Sequence, residues 1–250
     1  MSDSRAVPSR PFLTAQWRNL IMFNYAVDAA ILSPFVPRGT LLDAWNGTTY
    51  MSLVAFLFDD TRVLGVPIPW HRTFEEVNLR FYVRREPPGE VRRGVTFIRE
   101  IVPRLAIAAT ARMLYNEPYR AHHMQHDFGA LRPDGMPNTL VYGWRDRGGW
   151  NTVRADPRGE GRQAAGGSLE EFITEHYWGY TRQRNGATVE YQVEHPRWKV
   201  WDTEDVIVVG DLDVAYGDTL AQVMARKPVS AFIADGSDVS VHSPSLLTDT

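Results

Sequence analysis

Phe74–Val83 (FEEVNLRFYV) decides the fold. Successive side chains of a strand point to opposite faces. Val77, Leu79, Phe81 and Val83 therefore share an apolar face, while Glu76, Asn78, Arg80 and Tyr82 share a polar one. This alternation sets the segment in a β-sheet. A carboxylate, an amide, a guanidinium and a phenol on one face suit an oxygen-rich small molecule if a curled sheet turns them inward. On an open sheet the same face would meet solvent, and Glu76 with Arg80, two steps along it, would be a structural ion pair.

The neighbouring segments read the same way. Tyr50–Phe58 (YMSLVAFLF) is a nearly continuous apolar run, as expected of a strand buried on both sides. Gly94–Val102 is a strand after the turn residues 87–90 (PPGE). Leu140–Asp146, Trp150–Ala155, Tyr177–Arg184 and Ala187–Glu194 are further strands, and Asn185-Gly186 marks a tight hairpin. The glycines at 159, 161, 166 and 167 read as a turn-like insert. Helices are expected over Arg104–Leu114 after Pro103, over Ser168–Tyr177 with Ser168 and Glu171 as a capping box, and over Asp218–Arg226 before Pro228. A short helix is expected in Val27–Leu32. The fold class is mainly β (α+β): one large antiparallel barrel or cone with a few peripheral helices. Residues 11–235 form a single domain, 1–10 an N-terminal arm and 236–250 a loose C-terminal tail.

Composition bounds the function. The 250 residues are 44% hydrophobic and 23% charged, enough for a sizeable core. A net charge of -3 offers no basic field for nucleic acid or acidic membranes, and no apolar run is long enough to span a bilayer. The start lacks the apolar stretch of a secretory signal. With no cysteine, disulfides, thiol catalysis and thiolate metal sites are excluded. A cytoplasmic location is expected. Lys199 and Lys227 are the only lysines among 27 basic residues, so amines are scarce and guanidinium groups plentiful.

Arg112–Met124 (RMLYNEPYRAHHM) carries the next cluster. Glu117 and Tyr119 flank Pro118, Arg120 follows, and His122 and His123 supply groups that titrate near neutrality. His122 and His126 would converge on a metal only in a helix. In an extended chain they lie roughly 13 Å apart, so no metal site is expected. No GxSxG elbow or phosphate loop occurs. His195-Pro196-Arg197-Trp198 and the surrounding tryptophans and tyrosines read as packing.

Several pieces recur in a characteristic order: Trp17-Arg18-Asn19-Leu20, Val36-Pro37-Arg38-Gly39, Leu42-Asp43, Tyr50–Phe56, Phe74–Val83, Gly94–Phe97, Leu114–Tyr119 and His195–Trp198. Over about residues 11–215 the chain resembles the bacterial YqjF-like proteins, a family of unknown function related in fold to the acetoacetate decarboxylase-like superfamily. The resemblance implies a β cone around an internal pocket, with Glu76 and Arg80 facing inward. It does not carry over the decarboxylase activity, which uses a buried lysine whose pKa a neighbouring cation depresses. The matching segment here reads Glu117-Pro118-Tyr119-Arg120, and arginine stays protonated.

The expected function is binding of, or chemistry on, an organic acid without a Schiff base. Arg80, with Arg112 or Arg120, would grip a carboxylate, and Asn78, Tyr82 and Glu117 would line the site. Glu76, Tyr119, His122 and His123 are the acid–base candidates. The alternative is a non-catalytic ligand-binding or protein-interaction domain. No cofactor, metal, nucleic acid or membrane partner is expected. A broad sheet with several tryptophans makes the chain a candidate homo-oligomer.

Overall fold

Phe74–Val83 is a strand extended to Arg85, in the middle of the larger of two sheets. The computed structural model describes residues 10–67, 72–103, 118–203 and 205–247. In chain order the strands are β1 (Leu13–Ala26), β2 (Leu41–Leu42), β3 (Ala44–Trp45), β4 (Thr48–Val63), β5 (Val66–Pro67), β6 (Phe74–Arg85), β7 (Arg92–Val102), β8 (Tyr119–Ala121) and β9 (His123–Phe128). They continue with β10 (Leu140–Asp146), β11 (Gly149–Ala155), β12 (Arg158–Gln163), β13 (Trp178–Arg182), β14 (Thr188–Glu194), β15 (Lys199–Asp202), β16 (Ile207–Val209), β17 (Ser230–Val241) and β18 (Ser245–Leu246). The larger sheet runs β12-β15-β17-β1-β4-β6-β7-β13-β14-β18, and β14 also pairs with β17. A separate four-stranded sheet runs β16-β11-β10-β9.

The expectation of a single antiparallel sheet is corrected. The large sheet is mixed: β7 pairs in parallel with β8 and with β13. Parallel partners need long connections, and β13 is reached only after β9, β10 and β11 of the four-stranded sheet have been laid down. The four-stranded sheet is an element the strand pattern did not separate. The expected turn-like insert is partly strand, because β12 pairs with β15 through Arg162↔Val200 and Gln163↔Lys199.

The expected tail is also corrected. Residues 236–241 belong to β17, where Ser237 pairs with Trp17 and Val241 with Leu13. Gly236 permits this turn of the chain. Its φ is +80°, and an added Cβ would lie 2.0 Å from the Trp17 carbonyl oxygen. The polar composition that suggested a loose end is that of a strand braced by its partners. Residues 1–9 of the expected arm, and the expected helix at Arg104–Leu114, lie outside the described residues.

The described helices are short. Ala29–Leu32 is capped by Asp28, whose carboxylate accepts from the Ala30 N–H. In Leu169–Thr174 the Ser168 hydroxyl accepts from the Glu171 N–H, and the Glu171 carboxylate accepts from the Gly167 N–H. That reciprocal arrangement fixes the helix start. Leu212–Tyr216, Asp218–Met224 and a 3-10 turn at Ser33–Phe35 complete the described set.

Both faces of β6 are covered. Val77, Leu79, Phe81 and Val83 pack with Ile21, Phe23, Met51 and Leu53 beneath Tyr142 and Trp144 of the small sheet and the helices after residue 211. Fully burying each such side chain contributes about 1.5–3 kcal/mol. The other face packs Phe74 and Tyr82 against Val54, Phe56, Trp198 and the helix residues Phe172 and Ile173. The Leu169–Thr174 helix thus roofs the polar side of β6, and Arg80 Nη2 donates to the Ile173 carbonyl at 3.3 Å.

Candidate functional site

Glu76, Asn78, Arg80 and Tyr82 share one face of β6, and all four are buried. Solvent is therefore not what that face meets. Asn78 Nδ2 donates to Glu76 Oε1 at 2.9 Å, and the Tyr119 hydroxyl donates to Oε2 at 3.2 Å. Tyr119 arrives on β8, whose parallel register places it beside Glu100, and Glu100 in turn lies opposite Asn78. Burial pushes the Glu76 carboxyl up to about 7, against the opposing pull of Asn78, Tyr119 and the Arg80 charge. A carboxyl tuned near neutrality can hold or release a proton at working pH.

Asn78 Oδ1 and Arg80 Nε are sealed from water and make no hydrogen bond in this structure. Each buried unpaired group costs about 1–3 kcal/mol. Tyr82 is satisfied: its hydroxyl lies 2.6 Å from Ser52 Oγ, which donates to Asn24 Oδ1 at 2.6 Å. Tyr82 therefore belongs to a structural polar chain running across to β4 and β1.

Two residues at this face, His176 and Asp43, carried no site role in the reading of the sequence, although Leu42-Asp43 is one of the pieces of the family resemblance. His176, just past the roofing helix, is buried with its ring 4.7 Å from Tyr82 and 5.1 Å from Phe172. Its Nε2 lies 3.4 Å from Asp43 Oδ2, too poorly aligned to count as a hydrogen bond, and Arg93 Nε donates to the same Asp43 oxygen at 2.7 Å. Burial pulls the His176 imidazole down to about 4, so it is neutral. Burial works against the Asp43 charge, but the polar edge of the His176 ring nearby and the Arg93 guanidinium that donates to Asp43 together hold the carboxyl below its usual range. The only signal in the sequence was a lone histidine after a capped helix, and Asp43 lies far from it along the chain.

The other expected residues are dispersed. Arg120 is exposed on β8. His122 Nδ1 lies 3.0 Å from the Arg145 carbonyl, and His123 is exposed with its ring edge-on to Trp150 at 5.3 Å. Neither histidine contacts Glu76 or Arg80. Arg112 and Glu117 lie outside the described residues. Among the described residues no group of three or more histidine, aspartate or glutamate side chains could hold a metal ion. No described helix is long and apolar enough to cross a membrane. A cleft of about 620 Å³ lies elsewhere, lined by Tyr25, Leu212 and Met224 among others. It borders the opposite apolar cluster from the one that covers the Glu76 face.

Residues 14–238 match the DUF2071 family, described as an uncharacterized conserved protein. The uncharacterized protein YqjF of Bacillus subtilis (strain 168) is 28% identical over 227 residues, covering 87% of each chain. Among solved structures, acetoacetate decarboxylase from Legionella pneumophila superposes with a TM-score of 0.67 at 12% identity, covering 100% of this chain and 93% of that one. The enduracididine biosynthesis enzyme MppR, complexed with pyruvate, gives 0.65 at 14% identity over 98% and 94% of the two chains. An acetoacetate decarboxylase-like enzyme from Sphingomonas wittichii RW1 gives 0.65 at 14% identity over 100% and 99%. At such identities the likeness establishes the fold alone.

Proposed function

The chain belongs to the DUF2071 family, and from that premise we propose that it holds a small organic acid against the buried Glu76–Arg80 face and acts on it by proton transfer, without a Schiff base. One observation carries this reading. A buried guanidinium N–H and a buried amide oxygen stand unpaired on the same strand face as a carboxyl tuned to about 7. A bound hydroxy acid, or the enol form of an oxo acid, would satisfy both. Its carboxylate would accept from Arg80, and a hydroxyl would donate to Asn78. Glu76, hydrogen-bonded to Tyr119, would exchange the proton.

The fold supports the same reading. β17 meets both β1 and β14, so the path β17-β1-β4-β6-β7-β13-β14 returns on itself. Read as a closed cone, it puts the Glu76 face inside. MppR, on a similar fold, was solved with pyruvate, which makes oxo acids the first probes. The lack of cysteine supports a cytoplasmic setting.

The test is a thermal-shift series with pyruvate, acetoacetate and their hydroxy counterparts. A ligand at about 100 times its dissociation constant adds about 2.7 kcal/mol, a rise of roughly 5–10 °C for a chain of this size. Arg80→Ala should abolish the rise. A rise retained in Arg80→Ala would move the site off this face. Binding without any exchange of solvent hydrogen into the ligand would make the protein a binder and not an enzyme.

A further inference from the structure

The cleft of about 620 Å³ has no part in the proposed acid site, because it opens on the other side of the large sheet. Its volume falls within the range of small-molecule sites. The inner wall is formed by Tyr25 at the end of β1, Val206 and Val208 about the edge strand β16, and Leu212, Ala221 and Met224 from the two helices. Tyr25 is buried, and its hydroxyl is sealed from water without a hydrogen-bond partner. The rim carries two acids, Asp213 and Asp218, and two bases, Arg226 and Lys227, all exposed. Asp218, Arg226 and Lys227 make no ion pair with any described residue.

Each feature narrows the occupant. Two positive and two negative rim groups give a pure anion or a pure cation no net attraction. A molecule carrying both charges gains from each pair. The apolar wall takes a body of a few carbons, and the unpaired phenol at its base calls for a polar tip. We propose that this cleft binds a small zwitterion of the amino-acid type. The ammonium would face Asp213 and Asp218, the carboxylate Arg226 and Lys227, and the side chain would reach Tyr25.

The test is titration calorimetry on the full chain with L-glutamine and glycyl-L-glutamine, beside N-acetyl-L-glutamine and L-glutamine amide. Saturable binding is expected for at least one zwitterion, with at least a roughly tenfold loss for the forms blocked at either end. The double variant Arg226→Ala, Lys227→Ala should lose binding, and Tyr25→Phe should weaken it. Both rim side chains are exposed and Tyr25→Phe keeps the ring, so all three changes are compatible with folding. Arg80→Ala should leave this binding intact, which separates it from the acid site. Absence of binding by both zwitterions at millimolar concentration, equal binding of a blocked form, or retention in the double variant would overturn the proposal.

Discussion

Glu76 and His176 titrate in opposite senses, and the difference is measurable. The folded chain keeps the Glu76 proton up to about pH 7, whereas an unfolded chain loses it near 4.5. Between those values the folded state binds more protons, so stability falls as pH rises, by about 3 kcal/mol across the window. Glu76→Gln removes this loss. In denaturant titrations the variant should gain on the wild type steadily from about pH 4.5 to 7 and then hold level. His176 runs the other way: the unfolded chain takes up a proton below 6.5, and the folded one resists until about 4. Stability is therefore lost as pH falls through that interval, again by about 3 kcal/mol, and His176→Gln should remove the acid-side loss. A flat difference curve for Glu76→Gln would falsify the assignment of a neutral buried carboxyl. Period-two alternation was enough to group Glu76, Asn78 and Arg80. Their burial was implied by the family resemblance and not by the alternation, because it depends on a roof supplied by residues 169–174, which no local pattern in β6 specifies. The pairing of Asp43 with His176 is likewise a product of the folded chain.

At the level of elements, the strands read from alternation are present, from Tyr50–Phe58 to the hairpin where Gln183 and Ala187 meet at 2.7 Å. The way they join was hidden. The β7–β13 contact is parallel and short, Trp178↔Gly94 and Gly179↔Val95, and it is one of two joints, with β14–β17, between the halves of the large sheet. Gly94 is what allows the approach. A Cβ there would lie 2.5 Å from the Trp178 carbonyl oxygen, which is backbone and cannot swing away. Gly94→Ala should therefore cost roughly 1–3 kcal/mol, read as a lower urea midpoint. An unchanged midpoint would mean that the joint is loose. Sequence periodicity reports which residues share a face, not which strand lies alongside. The same limit explains the 236–241 segment, whose polar residues pair with β1 although they read as a loose end.

The whole molecule shares a fold with acetoacetate decarboxylases, yet a fold carries no chemistry by itself. Schiff-base catalysis uses an amine desolvated in an apolar pocket or set beside another cation. This chain has two lysines. Lys199 is exposed on β15 and Lys227 is exposed at the rim of the cleft. Neither lies in the apolar cluster that covers the Glu76 face. Incubation with pyruvate and borohydride should consequently leave the intact mass unchanged. If an oxo acid raises the melting temperature, Lys199→Ala and Lys227→Ala should each preserve the rise while Arg80→Ala abolishes it. A reduced adduct on either lysine would place covalent chemistry at a surface amine, and proton transfer at Glu76 could no longer stand as the reaction.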